Sequence, residues 1–394
     1  MLVGIVGKPN VGKSTFFKAC TLANVTIENR PFVTIAPNHG MGYVRIECID
    51  REFNVQCQPR TGYCIKGQRF VPVELMDVAG LVEGASEGKG LGNQFLDDLR
   101  QADSFIQIVD ASGETDAGGK VISGGYNPVS DIEMLENELD LWYSGILKKV
   151  WKVFARTAEM QKENFAIAVA KQFSGLKVTE DDVKKILLKR GYNAEKPSSW
   201  TGEEVRNFSH ELRHLTKPMI VAANKIDRPA SKDNLKKLKE AYPDLMIIPC
   251  SADSELALRE ASKAGLIDYI PGDSDFKVIK NLNEKQKAAL ELIKKNVLSV
   301  YGSTGVQKIL NSAVFDLLKH IAIFPAGVHK LADSKGNILP DCFLVPEGTT
   351  ALDFAFKLHT DLGKNFVKAI DARTKKVVGK EHKLKHRDGI EIIT

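Results

Sequence analysis

An α/β core with a mainly parallel sheet, interrupted by a block of helices and followed by a small α+β unit, is the architecture this 394-residue sequence predicts. Three observations carry that expectation. Continuous apolar runs of strand length recur at Leu2–Val6, Val71–Met76, Phe105–Val109, Met219–Ala223 and Leu245–Pro249, each ending at polar or glycine-rich sequence. Between Asp131 and about Leu215 the apolar residues change to three- and four-residue steps. From about Ile321 the texture turns to short strands punctuated by turn residues.

The first runs are rich in Val, Ile and Leu and do not alternate with polar residues, so both faces of their sheet are expected to be buried, as in a parallel sheet covered by helices. Ligands bind such sheets at the carboxyl ends of the strands, which makes the residues after each run the ones to read. In the middle block, Ile132, Leu135, Leu139, Trp142, Ile146 and Val153 mark one long amphipathic helix. A second helix is expected over Asp181–Arg190, closed by Gly191 as C-cap, and a third after the capping box of Thr201 and Glu204. Asn283–His320 reads as helical and as a link or buttress to the C-terminal unit. The C-terminal strands are expected at Ile321–Phe324, Ile338–Val345, Phe366–Ile370, Lys376–Val378 and Ile390–Ile393, with one helix near Thr350–Leu358. Roughly 70 residues is a size at which such a unit can fold independently.

The length implies two or three domains. Hydrophobic residues at 43% and charged residues at 27% are ordinary for a water-soluble globular protein, and no apolar run approaches the ~18 residues of a membrane span. Met1–Val6 is apolar but stops at a glycine loop without a basic flank or cleavage site, so the cytoplasm is the expected location and no membrane partner is expected. A net charge of +5 is compatible with a surface that faces RNA without requiring one. The six cysteines are scattered, which argues against a disulfide framework. Cys48, Cys57 and Cys64 lie close together, and three readings stand: buried thiols of an irregular hairpin, a Cys57–Cys64 disulfide, or a metal site, for which the only nearby fourth ligand is His39.

Gly7-Lys8-Pro9-Asn10-Val11-Gly12-Lys13-Ser14 fits G-x-x-x-x-G-K-[ST] directly after an apolar strand. In that pattern the backbone curls so that N–H groups converge on a β-phosphate, and the next helix adds the positive end of its dipole. Lys8, Pro9, Asn10, Val11, Gly12, Lys13, Ser14 and Thr15 are thus the expected phosphate cradle. Lys13 would reach the β- and γ-phosphates, and Ser14 would bind Mg²⁺. Asp77-Val78-Ala79-Gly80 ends the next buried run: Asp77 can hold Mg²⁺ through water, and the Gly80 N–H can sense a γ-phosphate. Thr34 is the candidate switch threonine and second Mg²⁺ ligand. Asn224-Lys225-Ile226-Asp227 comes directly after the fourth run. The Asp227 carboxylate can accept from guanine N1–H and the 2-amino group together, a donor pair adenine lacks. Asn224 would tie loops together, the Lys225 stem would lie over the base, and a backbone N–H at Ser251-Ala252 would meet the guanine carbonyl oxygen. These tetrapeptides, in order on successive strands, point to GTP and GDP.

Together these residues resemble the Obg-related GTPases, and within them the YchF (Obg-like) branch. The resemblance rests on Gly7–Ser14, Pro31–Asn38, the long run Asp77–Leu96, and, near the C-terminus, Phe343–Ala351 and His386–Ile392. It implies a P-loop NTPase core over residues 1–130 and 216–280, a coiled-coil-like helical insertion at 131–215, a helical link at 281–320 and a TGS domain, a β-grasp module, at 321–394. It also implies association with ribosomes or RNA through the TGS and helical parts. Two departures matter. Branch members commonly carry glutamate in place of Asp227 and accept ATP, so the aspartate favours GTP. The usual first threonine of Pro31–Ile35 is Val33 here, leaving Thr34 as the switch ligand.

From Lys364 to Arg387 nine Lys/Arg stand against two acids, a candidate RNA-facing surface or a lysine-protected sheet edge. After Gly80 comes Leu81, which cannot orient water as a glutamine would, so slow hydrolysis, with Lys13, Thr34 and Gly80 as its catalytic groups, is expected. Related P-loop GTPases with asparagine at the position of Asn10 use it to hold K⁺; the rival reading is that Asn10 braces the loop. The alternatives to a hydrolysing GTP switch are a nucleotide-sensing scaffold with negligible hydrolysis and an ATPase.

Overall fold

A computed structural model describes residues 1–22, 39–78, 84, 100–328, 331–333 and 335–394. Among the described residues, seven strands form the principal sheet: β1 (Leu2–Val6), β2 (His39–Glu47), β3 (Tyr63–Ile65), β4 (Gln68–Asp77), β5 (Ser104–Asp110), β6 (Met219–Asn224) and β7 (Ile247–Pro249). Their order is β2-β4-β1-β5-β6-β7, with β3 also on β4. The β4–β1–β5–β6–β7 pairings are parallel, and β2 and β3 are antiparallel to β4. The antiparallel flank was not legible, because β2 alternates with glycines (Gly40, Gly42) and lacks a continuous apolar run.

Successive residues of each strand serve opposite faces. Val3 and Ile5 of β1 and Ile106 and Ile108 of β5 enter one core; Leu2, Val6 and Phe105 enter the other. Helix α1 (Lys13–Thr21) packs Phe16, Ala19 and Cys20 on the first face. The second face carries α2 (Val129–Gln161), a 33-residue helix whose Leu135, Leu139, Trp142, Leu147 and Trp151 are buried. Val153, expected on that stripe, is 74% exposed, because it lies only two positions beyond the buried Trp151 and so faces away. Three helices complete the insertion: α3 (Phe165–Gln172), α4 (Glu180–Arg190) and α5 (Gly202–Thr216). Gly191 closes α4 in a left-handed conformation, and Thr201 and Glu204 form the capping box of α5. The far end of the insertion is held by an aromatic cluster of Trp151, Phe165, Trp200 and Phe208.

Helices α6 (Ser231–Ala241) and α7 (Ala252–Lys263) flank β7, and α8 (Glu284–Ile293) comes after the small β8–β9 ribbon (Ile267–Asp268, Lys277–Val278). Part of the stretch 281–320, expected as a link or buttress, packs against the sheet. Helix α9 (Val306–Asn311) and the π-turns after it bury Val306, Ile309, Leu310, Ala313 and Val314 in the first core, against the sheet.

Five strands form the C-terminal sheet in the order β11-β10-β14-β12-β13: β10 (His320–Pro325), β11 (Phe343–Pro346), β12 (Lys368–Asp371), β13 (Val377–Val378) and β14 (Gly389–Ile393). Helix α10 (Ala351–Leu358), capped by Thr350 and Asp353, packs Phe354 against it, and α11 (Thr360–Lys364) comes next. Strand β10 belongs to two cores. Ile321 and Ile323 enter the C-terminal core, whereas Ala322 and Phe324 enter the first core of the principal sheet. An independently folding tail starting at Ile321 is therefore at odds with the packing: excising it would expose an apolar face on both pieces. Among the described residues no helix is long and apolar enough to cross a membrane.

Candidate functional site

The ends of β1, β4, β5 and β6 and the turn after β7 bring most of the sequence-predicted residues together. Gly12 has φ 99°, and a Cβ there would lie 2.3 Å from Asn224 Nδ2, so only glycine lets the loop close on Asn224. Asn224 is the hub: its Nδ2 donates to the Val11 carbonyl at 2.8 Å, and its Oδ1 accepts from the Ala252 N–H at 3.0 Å. One buried amide thus joins the phosphate loop to the turn beyond β7, with both of its ends satisfied.

Lys13 Nζ donates to the Lys8 carbonyl at 3.1 Å, and Ser14 Oγ lies 3.3 Å from Asp77 Oδ2. Burial lowers the Lys13 pKa, opposed by the charge of Asp77; burial also raises that of Asp77, opposed by Lys13 and by the hydrogen bond from Ser14. Asp77 Oδ1 is buried without a hydrogen-bond partner among the described residues. An orphaned carboxylate oxygen beside a hydroxyl is an oxygen pair suited to a hard, oxygen-seeking cation such as Mg²⁺, and the Lys13 ammonium beside it is suited to phosphate. Thr15 lies half-buried in the first turn of α1. Thr34, Gly80 and Leu81 lie outside the described residues.

At the base end, Asp227 Oδ1 accepts from Ser251 Oγ at 2.8 Å, which orients the carboxylate, and Arg228 Nε lies 3.7 Å from Oδ2. Lys225, at φ 64°, places Nζ 2.8 Å from Asp110 Oδ2. The expected backbone donors at Ser251-Ala252 both have partners within the protein. The Ser251 N–H donates to the Thr304 carbonyl at 2.9 Å, and the Ala252 N–H is held by Asn224. The next N–H in the first turn of α7 is that of Asp253.

Sequence reasoning missed a second layer built by the loop from Asp110 to Tyr126. Lys8 is buried, with Nζ 2.9 Å from Asp131 Oδ2, 3.0 Å from the Thr115 carbonyl and 3.8 Å from the centre of the Tyr126 ring. Tyr126 Oη donates to Asp131 Oδ1 at 2.9 Å. Burial raises the Asp131 pKa and Lys8 opposes it. Asn10, at φ 63°, donates from Nδ2 to the Gly119 carbonyl at 2.9 Å. Gly119 has φ 80°, and a Cβ there would stand 2.6 Å from the Pro9 carbonyl oxygen. Asp110 binds Ser112, Thr115 and Lys225 together. The signals in the sequence were the aspartate ending the third run and the glycine pairs 118–119 and 124–125, which look like ordinary turn residues without their contacts.

Three family models match successive parts of the chain: "50S ribosome-binding GTPase" over residues 2–138, "Obg-like GTPase YGR210-like, G4 motif-containing domain" over 222–327, and "TGS domain" over 334–394. Strand β10 falls in the second, so the C-terminal sheet is completed from outside the TGS match. The chain is 48% identical to a GTP-binding protein of Methanocaldococcus jannaschii, across 100% of this chain and 99% of that one. The ribosome-binding ATPase YchF of Buchnera aphidicola is 28% identical across 93% of this chain and 86% of its own. The crystal structure of a GTP binding protein from Pyrococcus horikoshii superposes with a TM-score of 0.81 at 40% identity, covering 100% of both chains. With the phosphate loop, the Asn224 hub and the C-terminal sheet in view, these matches lead to one conclusion: the chain belongs to the Obg-related P-loop GTPases, in their YchF (Obg-like) branch.

Proposed function

We propose that this protein hydrolyses GTP slowly with Mg²⁺ and uses the bound state to control its association with the ribosome or RNA, in the cytoplasm. The observation that carries the guanine reading is the Ser251–Asp227 hydrogen bond at 2.8 Å beside the Asn224 hub. A carboxylate already oriented by a hydroxyl, on a turn tied to the phosphate loop, meets a two-donor base edge with little reorganisation, whereas adenine would leave it unpaired. Relatives named as ATPases define the rival reading, and Asp227 disfavours it. Titration with labelled nucleotides tests this. GTP and GDP should bind at least about tenfold tighter than ATP and ADP, ~1.4 kcal/mol; equal affinities would remove the guanine reading. Asp227→Glu should narrow the preference.

On triphosphate binding, Lys13 would exchange the Lys8 carbonyl for phosphate oxygens, and Ser14 and Asp77 would hold Mg²⁺. The bound ion would offset charge on the β- and γ-phosphates. Thr34 and the Gly80 N–H would complete the γ-phosphate contacts, and Leu81, with no donor or acceptor, leaves the water unoriented. Turnover is accordingly expected well below ~10 s⁻¹. Lys13→Ala should abolish tight triphosphate binding, and Ser14→Ala should weaken Mg²⁺-dependent binding more than binding of bare nucleotide. The Asn10–Gly119 bond engages Nδ2, which braces the loop, and does not use Oδ1, the atom that would ligate K⁺; bracing alone predicts equal rates in matched K⁺ and Na⁺ buffers. A several-fold K⁺ stimulation erased by Asn10→Ala would restore the ion reading.

For the partner, Arg373 and Arg387 are already paired with Glu52, which leaves the seven lysines 364, 368, 375, 376, 380, 383 and 385 as the basic surface. Co-sedimentation with ribosomal subunits should depend on nucleotide and fall between 50 mM and about 200 mM salt. Salt-independent binding would exclude phosphate contacts as its source.

A further inference from the structure

Away from the nucleotide, four side chains with metal-ligating atoms converge where the antiparallel flank of the principal sheet meets the C-terminal sheet. Cys48 comes just after β2, Asp50 sits on the 3-10 turn Ile49–Phe53, Cys57 lies in the next loop and Cys64 is in β3. The candidate ligand atoms of all four lie within 4.8 Å of one another. Cys48 Sγ is 3.6 Å from Cys57 Sγ, and Cys64 Sγ is 3.7 Å from Asp50 Oδ2. Around a tetrahedral zinc, with Zn–S near 2.3 Å and Zn–O near 2.0 Å, sulfurs stand about 3.8 Å apart and sulfur and oxygen about 3.5 Å. A disulfide would instead need sulfurs at about 2.0 Å.

Two independent features point to an ion. Asp50 is 2% exposed, and its Oδ1 is buried without a hydrogen-bond partner among the described residues. Arg69 is 0% exposed and donates to the Leu339 and Pro340 carbonyls at 3.1 and 2.9 Å, but no carboxylate forms an ion pair with it among the described residues. A buried guanidinium calls for negative charge nearby. Three thiolates and a carboxylate around a divalent ion carry net −2 and would supply it.

We propose that Cys48, Cys57, Cys64 and Asp50 form a closed, structural site for a thiophilic divalent cation of the zinc class. Four protein donors leave no open position, so the role is to fasten rather than to catalyse. Its neighbours identify the fastened parts: the Gln58 and Arg60 N–H groups donate to the Ile338 and Pro340 carbonyls at 2.8 and 2.9 Å, so the loop that bears Cys57 is stitched to the approach of β11. His39, the fourth ligand considered from sequence, lies elsewhere, 2.9 Å from Glu74.

The test is a Co²⁺ titration of the reduced, nucleotide-free full chain after chelation. A thiolate-to-cobalt charge-transfer band should saturate at one equivalent per chain and vanish when Zn²⁺ is added. Cys57→Ser should abolish the band and Asp50→Asn should weaken Co²⁺ affinity at least tenfold, whereas Cys342→Ser, which alters a buried thiol outside the group, should leave it intact. GTP binding by each variant reports that the fold survives. Absence of the band in the wild-type chain with its thiols reduced overturns the proposal whatever the variants do, as does a full band in Cys57→Ser.

Discussion

The two faces of the principal sheet are covered by opposite strategies. One face is roofed mainly by a continuous stretch: α2 lays Leu135, Leu139 and Trp142 over Leu2, Val6 and Phe105, its extension carries a helical outwork, and Leu238 of α6 joins Ile132 over Val109, Val221 and Ala223. The other face is assembled from distant pieces, namely α1, α9, the Ala322 and Phe324 side of β10, Leu339 and Cys342. A contiguous roof can lose its outer part without uncovering the sheet. A composite roof cannot, because each piece is a neighbour of the others.

The largest effect should come from the composite side. Phe324→Ala, at a fully buried position, should cost about 3–5 kcal/mol in denaturant unfolding of the whole chain; a cost below about 1 kcal/mol would mean that β10 is not part of that core. Trp200→Ala, in the distal aromatic cluster, should cost about 3 kcal/mol but locally. Faster amide exchange should appear around Phe165–Leu212 while GTP affinity stays within about twofold, and a larger loss of affinity would break the comparison.

A smaller effect is expected from acid at β10. His320, on β10, and His386, whose Nδ1 accepts from the Ala322 N–H at 3.3 Å, both have pKa values lowered by burial, in His386 with help from the charge of Arg387. The unfolded chain therefore takes up protons first. The stability these neutral rings contribute is present above about pH 6.5 and is lost as pH falls through that value toward the lowered ones. Unfolding midpoints between pH 7.5 and 5 should decline, and His320→Gln with His386→Gln should flatten the decline. Smallest of all, Val153→Ala on the exposed side of α2 should stay within about 0.5 kcal/mol of wild type.

The same contrast explains what was legible. The parallel strands and α2 carry their pattern locally, as unbroken apolar runs and as three- and four-residue steps, so five strands and the long helix could be read directly. Strand β10 was read as a strand, but nothing local tells which of its faces meets which core, since Ile321, Ala322, Ile323 and Phe324 are all apolar. The nucleotide motifs were readable because fixed spacing on strand ends is itself the signal. The Lys8–Asp131 and Asn10–Gly119 contacts were not, since they join residues more than a hundred positions apart. Asp50 likewise carries no signal in the sequence, and only the fold sets it beside three sulfurs.

The pairing of Lys8 with Asp131 gives the long helix a mechanical meaning. Asp131 sits in the first turn of α2, and Gln161 ends it 30 residues later, ~45 Å away at 1.5 Å per residue. Over that length angle converts into distance: one degree of tilt at Asp131 corresponds to about 0.8 Å at the far tip, and five degrees to about 4 Å. The buried Lys8–Asp131 pair thus ties the phosphate loop to an element whose outer half carries the aromatic cluster of the insertion.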